Sequence, residues 1–144
     1  MKIQYVVTGL VSLIFAGMIF TGGALLSPKA AFAGEADVVA ARATKSADGT
    51  FQFSVSVAHD DSGWEHYANA WDVVAPDGTV LGQRELLHPH VNEQPFTRSL
   101  SGVKIPDDVH SVTIRARDLV HEYGGAEVML ELPTTIGQST STAN

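Results

Sequence analysis

The stretch from His88 to Phe96 has the residue types of a binding loop. It holds two of the six histidines, two of the six prolines and the carboxylate of Glu93. His88 and His90 are one residue apart, a spacing that can place two imidazoles on the same side of an extended segment. Pro89 between them fixes φ and reduces the entropy lost when the segment is ordered. Imidazole suits zinc, copper(II) and nickel, and a carboxylate can complete the coordination shell.

The segments that flank this stretch alternate apolar and polar residues with a period of two, which predicts β-strands. Residues 51–57, 111–117 and 127–132 show the pattern most clearly. Turn residues such as Asp48-Gly49 and Asp77-Gly78 separate the runs, and Asp-Gly favours tight hairpin turns. The sequence therefore predicts an all-β fold, a seven-stranded antiparallel β-sandwich. The predicted strands lie at about 36–45, 50–59, 67–75, 79–87, 96–102, 109–118 and 126–132.

Two segments resemble a known kind of sandwich. Residues 100–106 (Leu-Ser-Gly-Val-Lys-Ile-Pro) and 112–116 (Val-Thr-Ile-Arg-Ala) resemble the fifth strand, corner and sixth strand of fibronectin type III domains. Trp71 in the third strand stands where immunoglobulin-like sandwiches bury an aromatic residue. His110 falls where the corner tyrosine of that family would be. The resemblance implies a small exported bacterial immunoglobulin-like or fibronectin type III-like protein of unassigned function, which acts as a binding or spacer module.

In a sandwich with this strand order, three loops emerge at the same end: the second-to-third, fourth-to-fifth and sixth-to-seventh. They carry five of the six histidines, and His110 alone lies at the other end. We therefore predict a divalent transition-metal site for copper, zinc or nickel at this end. The favoured ligands are His88, His90 and His121, with His66 and Glu93 as helpers and with His59 as an alternative to His66 in closing the site.

Other functions remain open from the same loops. Trp64 and Tyr123 could form a surface for an envelope protein, so the alternative hypothesis is a non-catalytic interaction module that needs no metal. Histidines among carboxylates could also respond to acidification, or they could simply satisfy local backbone groups. No serine has the surroundings of a hydrolase nucleophile, no calcium loop occurs, and no glycine motif for phosphate precedes a helix. We therefore predict that the protein is not an enzyme.

Residues 1–33 have the features of an export signal. Lys2 precedes a long apolar run, and Ala31-Phe32-Ala33 provides small residues where a signal peptidase cleaves. Cleavage after Ala33 predicts a periplasmic or secreted protein without stable membrane insertion. An uncleaved anchor is the alternative, because the apolar run is long enough to span a bilayer. The remaining chain divides into a sandwich domain at 34–133 and a Ser/Thr/Gly-rich tail at 134–144, which is predicted to be disordered.

The cysteine count and the net charge limit the kinds of ligand and partner that the protein can bind. The sequence contains no cysteine, which excludes disulfides and thiolate–metal bonds. Removing Lys2 and Lys29 with the signal leaves seven basic and sixteen acidic residues, and 7 − 16 gives a net charge of −9. Such an acidic surface argues against nucleic acid and anionic lipid as partners and is compatible with a cation.

Overall fold

A computed structural model describes residues 34–144 of the protein. Over that range the chain forms eight β-strands and no α-helix. The strands are β1 (Asp37–Lys45), β2 (Phe51–Ala58), β3 (Ala68–Val74), β4 (Val80–Glu85), β5 (Phe96–Val103), β6 (Ser111–Asp118), β7 (Val128–Glu131) and β8 (Ser139–Ala143).

The strands form two four-stranded antiparallel sheets. One sheet has the order β5-β2-β1-β8, and the other has the order β4-β3-β6-β7. The prediction of an all-β protein built from antiparallel sheets is therefore confirmed in residues 34–144. The predicted count of seven strands is corrected to eight, and membership of the fibronectin type III or immunoglobulin class stays a prediction.

The core lies between the inner faces of the two sheets, as the alternating pattern requires. In β2, Phe53, Val55 and Val57 are fully buried while the residues between them reach solvent. Trp71 in β3 is also fully buried. Each such side chain contributes roughly 1.5–3 kcal/mol of transfer free energy, which makes this core the frame that holds the loops.

The eighth strand lies in the segment that was predicted to be disordered. β8 pairs with the edge of β1 from Thr44↔Ser139 to Ala40↔Ala143. Its sequence, Ser-Thr-Ser-Thr-Ala, has no apolar alternation because nearly all of its residues remain exposed. Backbone pairing and the Thr44 Oγ1···Ser139 Oγ contact of 2.7 Å hold the strand instead. A strand that buries no side chains gives no periodic signal, so the prediction of a disordered tail is corrected here.

The predicted signal segment, residues 1–33, lies outside the residues that the structure describes. Across the described range, none of the secondary structure is a helix long and apolar enough to cross a membrane.

Candidate metal centre

Three loops meet at one end of the sandwich: the β2–β3 loop (59–67), the β4–β5 loop (86–95) and the β6–β7 loop (119–127). His90 donates its backbone N–H to Asp61 Oδ2 at 2.6 Å, which joins the β4–β5 loop to the β2–β3 loop. The backbone N–H of Leu119 donates to Tyr67 O at 3.3 Å and joins the β6–β7 loop to the same segment. The loops that carry five histidines are thus in direct contact.

His59, His66 and Asp118 form the group that converges. One ligand atom from each of these residues lies within 4.8 Å of the other two. His66 Nε2 is 3.5 Å from Asp118 Oδ1. Two ligand atoms on one zinc ion are about 3.4 Å apart, since zinc bonds to nitrogen and oxygen are about 2.1 Å long. The spacing of His66 and Asp118 therefore already matches a shared metal ion.

Asp118 is a buried carboxylate at the end of β6. Its side chain has no exposure, and Oδ1 accepts the backbone N–H groups of Val120 and His121 at 2.8 and 2.7 Å. Burial alone would raise the pKa of Asp118, but these two N–H donors, together with the nearby imidazoles of His121 and His59, hold the pKa below its ordinary value. Oδ2 is buried and has no hydrogen-bond partner among residues 34–144. A buried, ionised oxygen without a donor is an available ligand for a cation.

His59 is oriented by Asp61. Both side chains are fully buried, and His59 Nδ1 lies 2.5 Å from Asp61 Oδ1. In the tautomer that donates Nδ1–H to the carboxylate, His59 has the lone pair of Nε2 for a ligand. Metal-binding histidines almost always have such an acceptor on the other ring nitrogen. His59 Nε2 and His66 Nε2 each lie 3.2 Å from the carbonyl oxygen of Gly34.

His121 lies at the rim of the group. Its Nδ1 is 3.2 Å from Asp118 Oδ1, and its ring centroid is 5.1 Å from that of His66. The side chain is 36% exposed, which is more than that of His66 at 25%. His121 therefore borders the converging group from the solvent side.

The predicted ligands separate into two sets. His66 and His121 lie at the converging group, whereas His88, His90 and Glu93 lie in the β4–β5 loop. His88 and His90 are neighbours, with ring centroids 4.6 Å apart. The exposed carboxylate of Glu93 pairs with Arg98, with Nη2 of Arg98 and Oε2 of Glu93 2.9 Å apart. Within residues 34–144, three potential ligand atoms come together at His59, His66 and Asp118, and not in the β4–β5 loop.

His90 is held as a core side chain. It is 4% exposed and stacks on Phe96 with ring centroids 3.8 Å apart and an angle of 12°. Burial lowers its pKa, and the nearby charges of Arg98 and His88 lower it further. Neither ring nitrogen has a hydrogen-bond partner in the described part of the chain. The ring is therefore neutral at neutral pH and packs as an aromatic group.

The two aromatic residues predicted to bind a partner have different surroundings. Trp64 is 66% exposed and meets Tyr67 edge-on at 5.9 Å. Tyr123 is partly buried beneath Arg115, whose guanidinium lies 4.0 Å from the ring centroid. Burial raises the pKa of Tyr123, and a hydrogen bond to Asp72 raises it further. Trp64 is thus available to solvent, whereas Tyr123 already has partners within the chain.

Sequence reasoning named His59 only as an alternative and did not assign a role to Asp61 or Asp118. The sequence signal that could have identified Asp118 and His59 was their position at the ends of predicted strands. Asp118 directly ends a predicted strand, and His59 directly follows one in the structure. Residues at strand ends are held more rigidly than residues in the middle of a loop, so they are better placed to share an ion.

Two imidazoles and one carboxylate are a common set of protein ligands for zinc, and they also suit copper(II) and nickel. The His–Asp group could hold a metal ion, with the orphaned Oδ2 of Asp118 and the oriented Nε2 of His59 as the features that fit one. Three protein ligands leave coordination positions for further groups.

Among curated proteins, the chain matches a protein of Halomicrobium mukohataei described as a "Putative lipoprotein", with 38% identity over 97 residues. The match covers 67% of this chain and 47% of the relative, so the chain spans about half the length of the curated relative it matches. No family model matches the sequence. No solved structure gives a significant match.

Proposed function

We propose that this protein is a non-catalytic, exported protein of the cell envelope that binds a divalent transition metal through His59, His66 and Asp118. The observation that carries the proposal is the convergence of three ligand atoms within 4.8 Å beside a buried carboxylate oxygen that has no donor among residues 34–144. Burial of an ionised carboxylate is costly unless a cation or several donors compensate. A bound metal ion would provide that compensation.

The envelope location is supported by two independent observations. The first 33 residues have the pattern of a cleaved signal. The matched relative is described as a "Putative lipoprotein", and that description supports a location in the cell envelope. A metal site without cysteine suits such a compartment, because imidazole and carboxylate ligands are not lost to oxidation as thiolates are.

Copper(II), zinc and nickel are the candidate ions. A binding titration on residues 34–144, prepared without a histidine tag, tests the proposal. We expect one ion per chain with a dissociation constant tighter than about 10 µM, equivalent to roughly −7 kcal/mol. His66→Ala and Asp118→Asn should each weaken binding by at least about tenfold, since each removes or neutralises a ligand.

His88→Ala is the matched control, because it removes an imidazole from the same end of the sandwich without touching the converging group. It should bind metal as the parent protein does. Binding that survives both His66→Ala and Asp118→Asn, or that disappears with His88→Ala, would sink the assignment of these ligands.

A second candidate function is an interaction module, and the exposure of Trp64 favours it. A large aromatic side chain that is 66% exposed is the type of residue that anchors protein interfaces. This candidate predicts an envelope partner that is retained in the presence of a chelator and released by Trp64→Ala. If binding of the partner instead requires metal and is unaffected by Trp64→Ala, the partner binds through the metal site and not through Trp64.

A further inference from the structure

Gly34 lies against His59 and His66 of the converging group and against His121 at its rim. Its carbonyl oxygen is 3.2 Å from Nε2 of both His59 and His66. On its other side, a Cβ added to Gly34 would lie 2.8 Å from Cε1 of His121. The main chain of this one residue therefore lies among the imidazoles, and a larger residue would have to displace the ring of His121.

In the chain that continues through Ala33, the φ of Gly34 is +118°, a region that residues with a side chain rarely adopt. A mature chain that begins at Gly34 has no φ at this residue, so the close approach to His121 is the feature that favours glycine in that form.

The residues that follow hold Gly34 in place. Ala36 is fully buried, and Asp37 Oδ1 accepts the backbone N–H of Ala126 at 2.7 Å. Val38 donates its N–H to Ala126 O at 2.8 Å. Gly125 lacks a Cβ, which would otherwise collide with the carbonyl of Ala36. The chain therefore enters β1 along a path fixed by the β6–β7 loop.

The predicted cleavage site makes this placement chemically significant. Cleavage after Ala33 makes Gly34 the first residue and converts its amide nitrogen into a free α-amine. An amide nitrogen that keeps its proton has no lone pair available for a metal, whereas a deprotonated amine does. The amine and the carbonyl oxygen of one residue can also bind the same ion together, closing a five-membered chelate ring.

We infer that the mature amino terminus is part of the metal site, with the α-amine and carbonyl oxygen of Gly34 joining His59, His66 and Asp118 around the ion. The inference rests on the proposed metal-binding function and on cleavage after Ala33. It implies that the complete site exists only after export, because the uncleaved chain offers an amide at this position. Signal cleavage then converts a weak metal binder into a strong one.

The test compares two forms of the protein that differ by one residue. One begins at Gly34 and the other begins at Ala33, so the second retains the Gly34 carbonyl and every side chain but moves the free amine. Zinc is the probe, because zinc does not displace the proton of a backbone amide at neutral pH, whereas copper(II) can. We expect the Ala33 form to bind zinc at least about tenfold more weakly, equivalent to 1.4 kcal/mol or more.

Equal zinc affinities for the two forms would overturn the inference. If both forms then lose binding with His66→Ala, the proposed metal function stands and only the role of the amino terminus is wrong. If neither form binds copper(II), zinc or nickel, the proposed function fails and the inference fails with it. Mass spectrometry of the exported protein provides the final check, since a mature chain that does not begin at Gly34 also contradicts the inference.

Discussion

The side chain of Asp61 accepts hydrogen bonds from three different residues around the site. It is fully buried, and its two oxygens accept from His59 Nδ1, from the backbone N–H of Ala68 at 3.0 Å and from that of His90 at 2.6 Å. One carboxylate thus sets the orientation of a proposed ligand, fixes the start of β3 and ties two loops together. We regard Asp61 as a positioning residue.

Asp61→Asn should weaken metal binding by about 10- to 100-fold, the usual effect of losing the carboxylate behind a metal-binding histidine. The amide keeps the size of the side chain but cannot accept the His59 proton and both backbone N–H groups equally well. Competition with a chelator of known affinity measures the change. Asp60→Asn, at the exposed neighbouring residue, is the control and should leave the affinity unaltered. An Asp61→Asn protein that is folded and binds with parental affinity would show that Asp61 does not orient a ligand.

His90 gives a different prediction, because its ring is buried and has no hydrogen-bond partner in the described part of the chain. Its pKa is lowered in the folded protein by burial first, and then by Arg98 and His88. The unfolded chain therefore binds the proton more readily, and stability is lost as the pH falls from the ordinary histidine pKa of about 6.5 towards the folded value. Above that range the contribution of His90 to stability is complete.

His90→Phe should remove this part of the pH dependence while keeping the stacking on Phe96. Denaturant unfolding with a chelator present, at pH 7.5 and 5.5, measures it. We expect the parent protein to lose more stability than the variant on acidification, by up to about 1.4 kcal/mol per pH unit for one proton. Stability curves that run parallel for the two proteins would contradict the assignment of His90 as a neutral core residue.

At the scale of the elements, β8 is the strand that sequence reasoning did not find. Strands β2, β6 and β7 bury every second side chain, so their apolar residues alternate and reveal them. β8 adds to an edge through backbone hydrogen bonds, and Asn144 Nδ2 donates to Val38 O at 3.0 Å to fasten its end. Such a strand depends on an available edge, which is a property of the folded sheet and is absent from local sequence.

Deletion of residues 139–144 should lower the free energy of unfolding by about 1–3 kcal/mol, because each lost ladder hydrogen bond contributes about 0.5–1.5 kcal/mol before the entropy of ordering the strand is subtracted. Chemical denaturation measures the difference. Ser139→Ala serves as the control, since it removes the contact with Thr44 but keeps the backbone pairing. Unchanged stability after the deletion would mean that β8 does not form in solution.

The loops were predictable as a set, but their internal geometry was not. Strand order alone places the β2–β3, β4–β5 and β6–β7 loops at one end, which brings His66 and His121 together. Whether a loop histidine points to its neighbours or into the core depends on packing. His90 turns onto Phe96 because that face of the ring can be buried there. The residues that the sequence did not single out, Asp61 and Asp118, derive their roles from burial, which only the fold determines.

At the scale of the whole molecule, the two sheets form the frame, and the candidate metal ligands lie in the loops at one end of it. The core between the sheets is apolar, and the β2–β3 loop together with the end of β6 contributes buried polar side chains (His59, Asp61 and Asp118). After removal of the predicted signal the net charge would be −9, from seven basic and sixteen acidic residues, which favours the approach of cations over anions. The fold, the charge and the loop histidines are consistent with one proposed function, the capture of a metal cation outside the cytoplasm.

The position of a bound metal tests the account most directly. Anomalous X-ray diffraction from crystals of residues 34–144 grown with copper(II) or zinc would locate the ion without assumptions about its ligands. The account predicts one dominant peak, about 2.0–2.2 Å from His59 Nε2, His66 Nε2 and a carboxylate oxygen of Asp118. A dominant peak between His88 and His90, or the absence of any peak beside these histidines, would contradict it.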